Sequence, residues 1–256
     1  MRFCYKFFSL LLILSCFLGS VVCSAAEECS WYIRKKGHSI PEFPANAELL
    51  SQYNAYFIDS KAYETGEKVI YLTFDAGYEN GNISKILDTL KSENVPAAFF
   101  LLDNIILKNT DLVKRMTEEG HLVCNHTKRH KNLCSSTFEE IKADLSALEN
   151  IYEEATGCKM AKYFRFPEGK YSIDALKHVS ELGYKTIFWS FGYEDWNNAK
   201  QPDKNSSIKK ILSNTHDGEV LLLHPTSQTN VEILPILIKE WRKMGYSFGT
   251  LDELTN

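Results

Sequence analysis

The sequence predicts an α/β fold, a parallel (β/α) barrel of about seven strands, on three observations. From about residue 68 onward, short β-branched and aromatic runs alternate with amphipathic helical runs, the pattern of successive βαβ units. Glycines at 120, 157, 183 and 245 each follow a helical run, where a left-handed cap favours a residue without Cβ. Three of them open one recurring phrase of helix end, glycine and hydrophobic strand: Glu-Glu-Gly-His-Leu-Val, Glu-Leu-Gly-Tyr-Lys-Thr and Lys-Met-Gly-Tyr-Ser-Phe. A single barrel of this kind is ordinary for a chain of 256 residues.

In chain order, residues 1–26 come first. Arg2 and Lys6 precede an uncharged run from Phe7 to Val22, then the small residues Ser24, Ala25 and Ala26. This reads as a secretory signal peptide cut after Ala25 or Ala26. A retained membrane anchor is the alternative, since the run is nearly long enough to span, and Ile13-Leu14-Ser15-Cys16 faintly resembles a lipoprotein site. In each case the domain works outside the cytoplasm, and after cleavage no stable membrane insertion is expected. Residues 27–67 form a polar extension with Pro41, Pro44 and one helical stretch from Ala47 to Tyr53. The domain proper runs from 68 to 256. Strands are predicted at 68–75, 96–102, 121–125, 162–166, 184–190, 218–223 and 246–249, and helices at 82–94, 110–119, 137–156, 173–182, 205–214 and 229–244. Ser136 or Thr137, followed by Glu139 and Glu140, supplies a capping box.

A net charge of −4 provides no basic field, which excludes nucleic acid as a partner and permits an uncharged glycan. Nothing demands more than a monomer. Once the leader is gone, Cys29, Cys124, Cys134 and Cys158 remain, too few for a disulfide scaffold and without metal spacing. One bridge is possible, Cys124 and Cys134 being the nearest pair in sequence; the alternative is four unbridged, mostly buried thiols.

Chemistry in a parallel barrel gathers at the C-terminal ends of its strands. Asp75 ends the first predicted strand, inside Thr73-Phe74-Asp75-Ala76-Gly77-Tyr78; it is either catalytic or the cap of the helix beginning near Asn82. After strand 121–125 come His126 and His130, two imidazoles four apart, which on one face of a helical turn have the spacing a metal ion needs. In a polar loop they would be surface histidines. Arg165, between aromatics and followed by Pro167, Glu168 and Gly169, suits an ion pair with a buried carboxylate such as Asp75. Asp195-Trp196 follows the fifth strand, and His224 emerges two residues after Leu222 from the sixth. A histidine beside an aspartate can act as a general acid or base.

These motifs, in this order and spacing, resemble the polysaccharide deacetylases, a family that includes chitin and peptidoglycan N-deacetylases. The resemblance covers about residues 68–252. Phe-Asp-x-Gly-Tyr-Glu-Asn-Gly is most similar to the subgroup that forms muramic δ-lactam in spore cortex. The resemblance implies a distorted barrel and a metal-dependent amide hydrolysis of a peptidoglycan glycan strand. By it, His126 and His130 would hold a divalent ion, zinc or cobalt. Asp75 would be the general base, held by Arg165, and His224, set by Asp195, would protonate the leaving amine. Trp196 and Leu222 would wall the acetyl pocket, a backbone N–H near Glu168 would meet the oxyanion, and Tyr78 would contact the sugar. Most relatives carry a second aspartate as third metal ligand where this chain has Ala76, and Glu168 stands where many carry Tyr or Arg. Two functions therefore remain in view: an N-deacetylase, of muramyl or of N-acetylglucosamine polymers, and a non-catalytic glycan-binding domain.

Overall fold

Eight residues, Val69–Ala76, are apolar on both faces save for Thr73 and Asp75, as a strand must be when it is covered on both sides. Because side chains alternate, Ile70, Leu72, Phe74 and Ala76 pack outward into one core under the helices. Val69 and Tyr71 pack with Phe100, Cys124, Ile187 and Val220 in a second core inside the curled sheet. Thr73 and Asp75 share that inner face.

The computed structural model describes residues 27–256; the expected leader lies outside the described residues. The described residues open with β1 (Cys29–Ser30), β2 (Arg34–Lys36), β3 (Ser39–Glu42), α1 (Ala47–Leu50), β4 (Ala55–Tyr56) and α2 (Ser60–Thr65). The repeating part follows as β5 (Val69–Ala76), α3 (Ile83–Glu93), β6 (Ala98–Leu101), α4 (Asp103–Lys108), α5 (Thr110–Glu118), β7 (Leu122–Asn125) and α6 (Phe138–Thr156). It continues through β8 (Ala161–Phe164), β9 (Lys170–Tyr171), α7 (Ile173–Glu181), β10 (Lys185–Ile187), α8 (Lys204–Leu212), β11 (Glu219–Leu223), α9 (Gln228–Lys243), β12 (Ser247–Phe248) and α10 (Leu251–Leu254).

All seven predicted strands lie in one parallel sheet, ordered β11-β5-β6-β7-β8-β10-β4 with β12 on the start of β5. The sheet curls into an incompletely closed barrel: among the described residues its edges meet at the isolated bridges Ile58 to Glu219 and Phe191 to Leu221. The eighth strand, Ala55–Tyr56, was not expected, because two residues show no alternation to read. Short helices α2, α4 and α10 escaped for the same reason. The six predicted helices are present to within two residues. Thr137 and Glu140 form the expected capping box, and the four cap glycines have φ of 83°, 74°, 81° and 89°. Ahead of β4, the hairpin β2–β3 and the pairing of β1 with β9 lay the first residues along the domain, where Trp31 stacks on Phe188 with ring centroids 4.6 Å apart. The four cysteines of the described residues are free: Cys124 faces the inner core while Cys134 sits in a loop. No helix among the described residues is long and apolar enough to cross a membrane.

Candidate active site

Asp75 leaves β5 on the barrel's inner face and meets Arg165 just past the end of β8. Arg165 is fully buried, and its guanidinium is held on every side. Nη1 donates to Asp75 Oδ1 at 2.8 Å, Nη2 to Thr73 Oγ1 at 2.9 Å and to Phe188 O at 3.3 Å, and Nε to Ile187 O at 2.9 Å. Its cation also lies 4.2 Å from the centre of the Phe100 ring. Burial alone would raise the Asp75 pKa, but Arg165, with help from His126 and His224, outweighs it and holds the carboxyl below its ordinary value. Asp75 is not the cap of α3: the N-cap position is Asn82, and the Glu79 carboxylate accepts from the backbone N–H of Gly81 and, at 3.2 Å, of Ile83.

His126 and His130 come together, with ring centroids 5.1 Å apart, but not on a helical turn. The segment is a loop in which Thr127 and His130 have φ of 68° and 58°. Its N–H groups bond to side chains rather than to helix carbonyls. Asn125 Oδ1 accepts from Thr127 at 2.9 Å, Asp144 Oδ1 from Lys128 at 2.8 Å and Thr127 Oγ1 from Lys131 at 3.0 Å, which explains why four-residue spacing misled here. His126 Nδ1 donates to Arg165 O at 2.8 Å, leaving Nε2 facing Asp75 Oδ2 at 3.6 Å. Burial pushes the His126 pKa down to about 4 even though Asp75 pulls the other way, so near neutrality this nitrogen offers a lone pair.

His224 follows β11, where Asp195, fully buried, binds it twice. Its Nδ1 donates to Oδ1 at 2.7 Å and its backbone N–H to Oδ2 at 2.8 Å. Burial would lower the imidazole pKa; the Asp195 charge and hydrogen bond prevail, with Asp75 adding to them, and raise it. Trp196 stands beside His224, ring centroids 5.9 Å apart, and is 58% exposed.

A cavity of about 620 Å³ collects these groups. Asp75, Tyr78, His126, His130, Glu168, Trp196, Leu222 and His224 all line it, while Arg165 and Asp195 stand behind the first and last of them. Glu168 has φ 57° and turns its carboxylate to Lys170 Nζ at 2.7 Å. Tyr78 accepts a hydrogen bond from Asn198. Leu102, Trp189 and Thr226 also line the cavity, and none carried a sequence signal. Ala76, fully buried in the outer core, offers no ligand.

Among the described residues no group of three or more His, Cys, Asp and Glu is arranged around a metal position. The donor set nevertheless fits a divalent ion in part. The backbone bond to Nδ1 fixes the His126 tautomer with Nε2 free, as metal-binding histidines require, His130 is adjacent, and Asp75 Oδ2 lies at the separation of two atoms sharing one small ion. The chemistry available is that of a carboxylate whose pKa is held down on one wall and an imidazole whose pKa is held up on another.

A sequence profile described as polysaccharide deacetylase matches residues 62–187. The peptidoglycan-N-acetylmuramic acid deacetylase PdaA of Bacillus subtilis is 35% identical over 230 residues, 89% of this chain and 86% of the relative. A solved structure of Bacillus subtilis PdaA, described as a family 4 carbohydrate esterase, superposes with a TM-score of 0.84 at 34% identity, covering 90% of this chain and 97% of that one. A peptidoglycan-N-acetylglucosamine deacetylase of Bacillus cereus is 32% identical over 194 residues, 73% of this chain and 88% of its own. With the deacetylase profile, the PdaA likeness across nearly the whole domain and the curled barrel in agreement, the chain belongs to the polysaccharide deacetylase family, hydrolases of carbon–nitrogen bonds other than peptide bonds.

Proposed function

We propose that this chain removes the N-acetyl group from N-acetylmuramic acid residues of peptidoglycan, outside the cytoplasm, behind a leader spanning residues 1–26 and with residues 68–256 as the catalytic domain. The observation that carries the reading is the pair of opposed ion pairs, Asp75 with Arg165 and His224 with Asp195, at one cavity. A glycan-binding surface has no use for a matched base and acid. The muramyl preference rests on the likeness to PdaA.

In this reading Asp75, ionised because Arg165 holds it so, takes a proton from the attacking water. His224 protonates the amine nitrogen as the amide C–N bond breaks, releasing acetate and leaving a glycan amine. Asp195 keeps the imidazole in the tautomer and orientation this needs. Trp196 and Leu222 confine the acetyl group, Tyr78 contacts the sugar, and the backbone at Glu168 faces the carbonyl oxygen. His126 and His130 are the residues that would hold a divalent ion, which when bound would acidify water and polarise the carbonyl. Closure of the freed amine onto the lactyl carboxylate would then give muramic δ-lactam.

The test is mass spectrometry of glycan strands bearing muramyl residues without stem peptides, incubated with the leaderless protein, with zinc or cobalt and after chelation. Loss of acetyl supports the reading, and a further loss of water identifies lactam. Acetyl loss only from N-acetylglucosamine oligomers would move the substrate to the chitin-like class. No turnover on either would leave a non-catalytic glycan-binding domain.

A further inference from the structure

Asn230, in the first turn of α9, is fully buried behind the cavity and does not line it. Its amide Nδ2 donates to Asp195 Oδ2 at 2.6 Å and to His224 O at 3.0 Å, while the Tyr193 hydroxyl donates to its Oδ1. Its backbone N–H is tied to Ser227 Oγ at 3.2 Å. The two acceptors lie on one side of the amide and the hydroxyl donor on the other, so the NH2 group must face Asp195 and His224.

We propose that Asn230 is a positioning residue for the Asp195–His224 pair. Asp195 Oδ2 receives two N–H groups, from the His224 backbone and from Asn230, and this leaves Oδ1 for the imidazole. Without Asn230, the carboxylate can rotate about its Cβ–Cγ bond and the His224 carbonyl loses a donor. The site requires two donors and one acceptor without charge, which asparagine supplies. Aspartate would set a second carboxylate against Asp195, and alanine would leave Oδ2, the carbonyl and the Tyr193 hydroxyl each one partner short. The inference rests on the reading of His224 as the acid only for its consequence in catalysis.

The test is an NMR titration of His224 in protein carrying ¹⁵N-labelled histidine, with kcat and KM measured alongside. The charged groups acting on His224 are Asp195, Asp75 and Arg165, and Asn230→Ala changes none of them. The titration midpoint is expected to fall by about 1 pH unit, part of the worth of a charge-assisted hydrogen bond, and kcat to fall about tenfold with KM nearly unchanged. Tyr193→Phe, which removes only the hydroxyl orienting the amide, is expected to shift the midpoint in the same direction by less and guards against an Asn230→Ala protein that does not fold. A midpoint that stays or rises in both variants overturns the proposal, whatever the stability of the variants. Because the titration needs no substrate, a lowered midpoint in a protein without deacetylase turnover would sink the proposed function and leave the positioning role standing.

Discussion

Replacing Asp195 by asparagine removes one charge at a point where the structure lets its effect be worked out. The carboxylate is fully buried and receives three N–H groups, the shortest of the two from His224 being the 2.7 Å bond from Nδ1. A hydrogen bond to a charged group contributes ~1.5–3 kcal/mol, and ~1.4 kcal/mol corresponds to one pH unit. The His224 pKa should therefore drop by about 1–2 units in Asp195→Asn. The sign follows from the proposed role: a general acid acts while protonated, so activity would be lost as pH rises through its pKa. In the wild type that loss falls above the ordinary histidine value, because Asp195 raises the pKa. In the variant the alkaline limb of the kcat profile should move down by the same 1–2 units, about, while the acid limb keeps its place. The assay is kcat for acetate release across the pH range. An alkaline limb that does not move would refute the assignment of His224 as the acid set by Asp195.

Three further outcomes follow from other contacts. Arg165→Met takes from Asp75 its direct ion-pair partner and should cost about 3–5 kcal/mol of stability in urea unfolding; a loss within error of zero would mean that the pair is not the anchor its geometry implies. Titration calorimetry with zinc should show His126→Ala and His130→Ala each binding roughly tenfold more weakly or worse, and unchanged affinity in both would place the ion elsewhere. Gly218→Ala should destabilise by more than about 1 kcal/mol, since φ there is 73° and a Cβ would lie 2.3 Å from Asp59 O; an unchanged unfolding midpoint would contradict that turn.

The strand ends were legible because a barrel turns sequence order into a ring, and each strand that ended in a polar residue placed it at the same mouth. Asp75, Arg165 and His224 needed only that rule. His126 and His130 were found by a spacing argument whose geometry was wrong: their loop depends on Asn125 and Asp144, and Asp144 lies in a helix well downstream. Asn230 and Trp189 were invisible because their importance comes from what packs against them, in segments distant along the chain. A buried amide in a helix's first turn looks like any cap until Asp195 is seen at 2.6 Å. The two-residue strand Ala55–Tyr56 was lost for the opposite reason, having too little sequence to carry a pattern.

The two ion pairs also set the conditions under which the site can work, and the same pairs tie stability to those conditions. Arg165 holds the Asp75 pKa down and Asp195 holds the His224 pKa up, so one group is ionised and the other protonated at once only between the two values. Asp75 contributes stability that is present above the ordinary carboxylate range and is lost as pH falls through its folded pKa. His224 contributes stability that is present below the ordinary histidine range and is lost as pH rises through its folded pKa. The two contributions coexist in the pH range where the proposed base is ionised and the proposed acid protonated. Loss of activity at either end should therefore begin with titration of the site, ahead of unfolding, because only one of the two pairs is given up there while the apolar cores on both faces of β5 are indifferent to pH. Circular dichroism alongside kcat across pH separates the two: activity and fold lost together at one end would mean that the pair at that end holds the barrel as well as the proton.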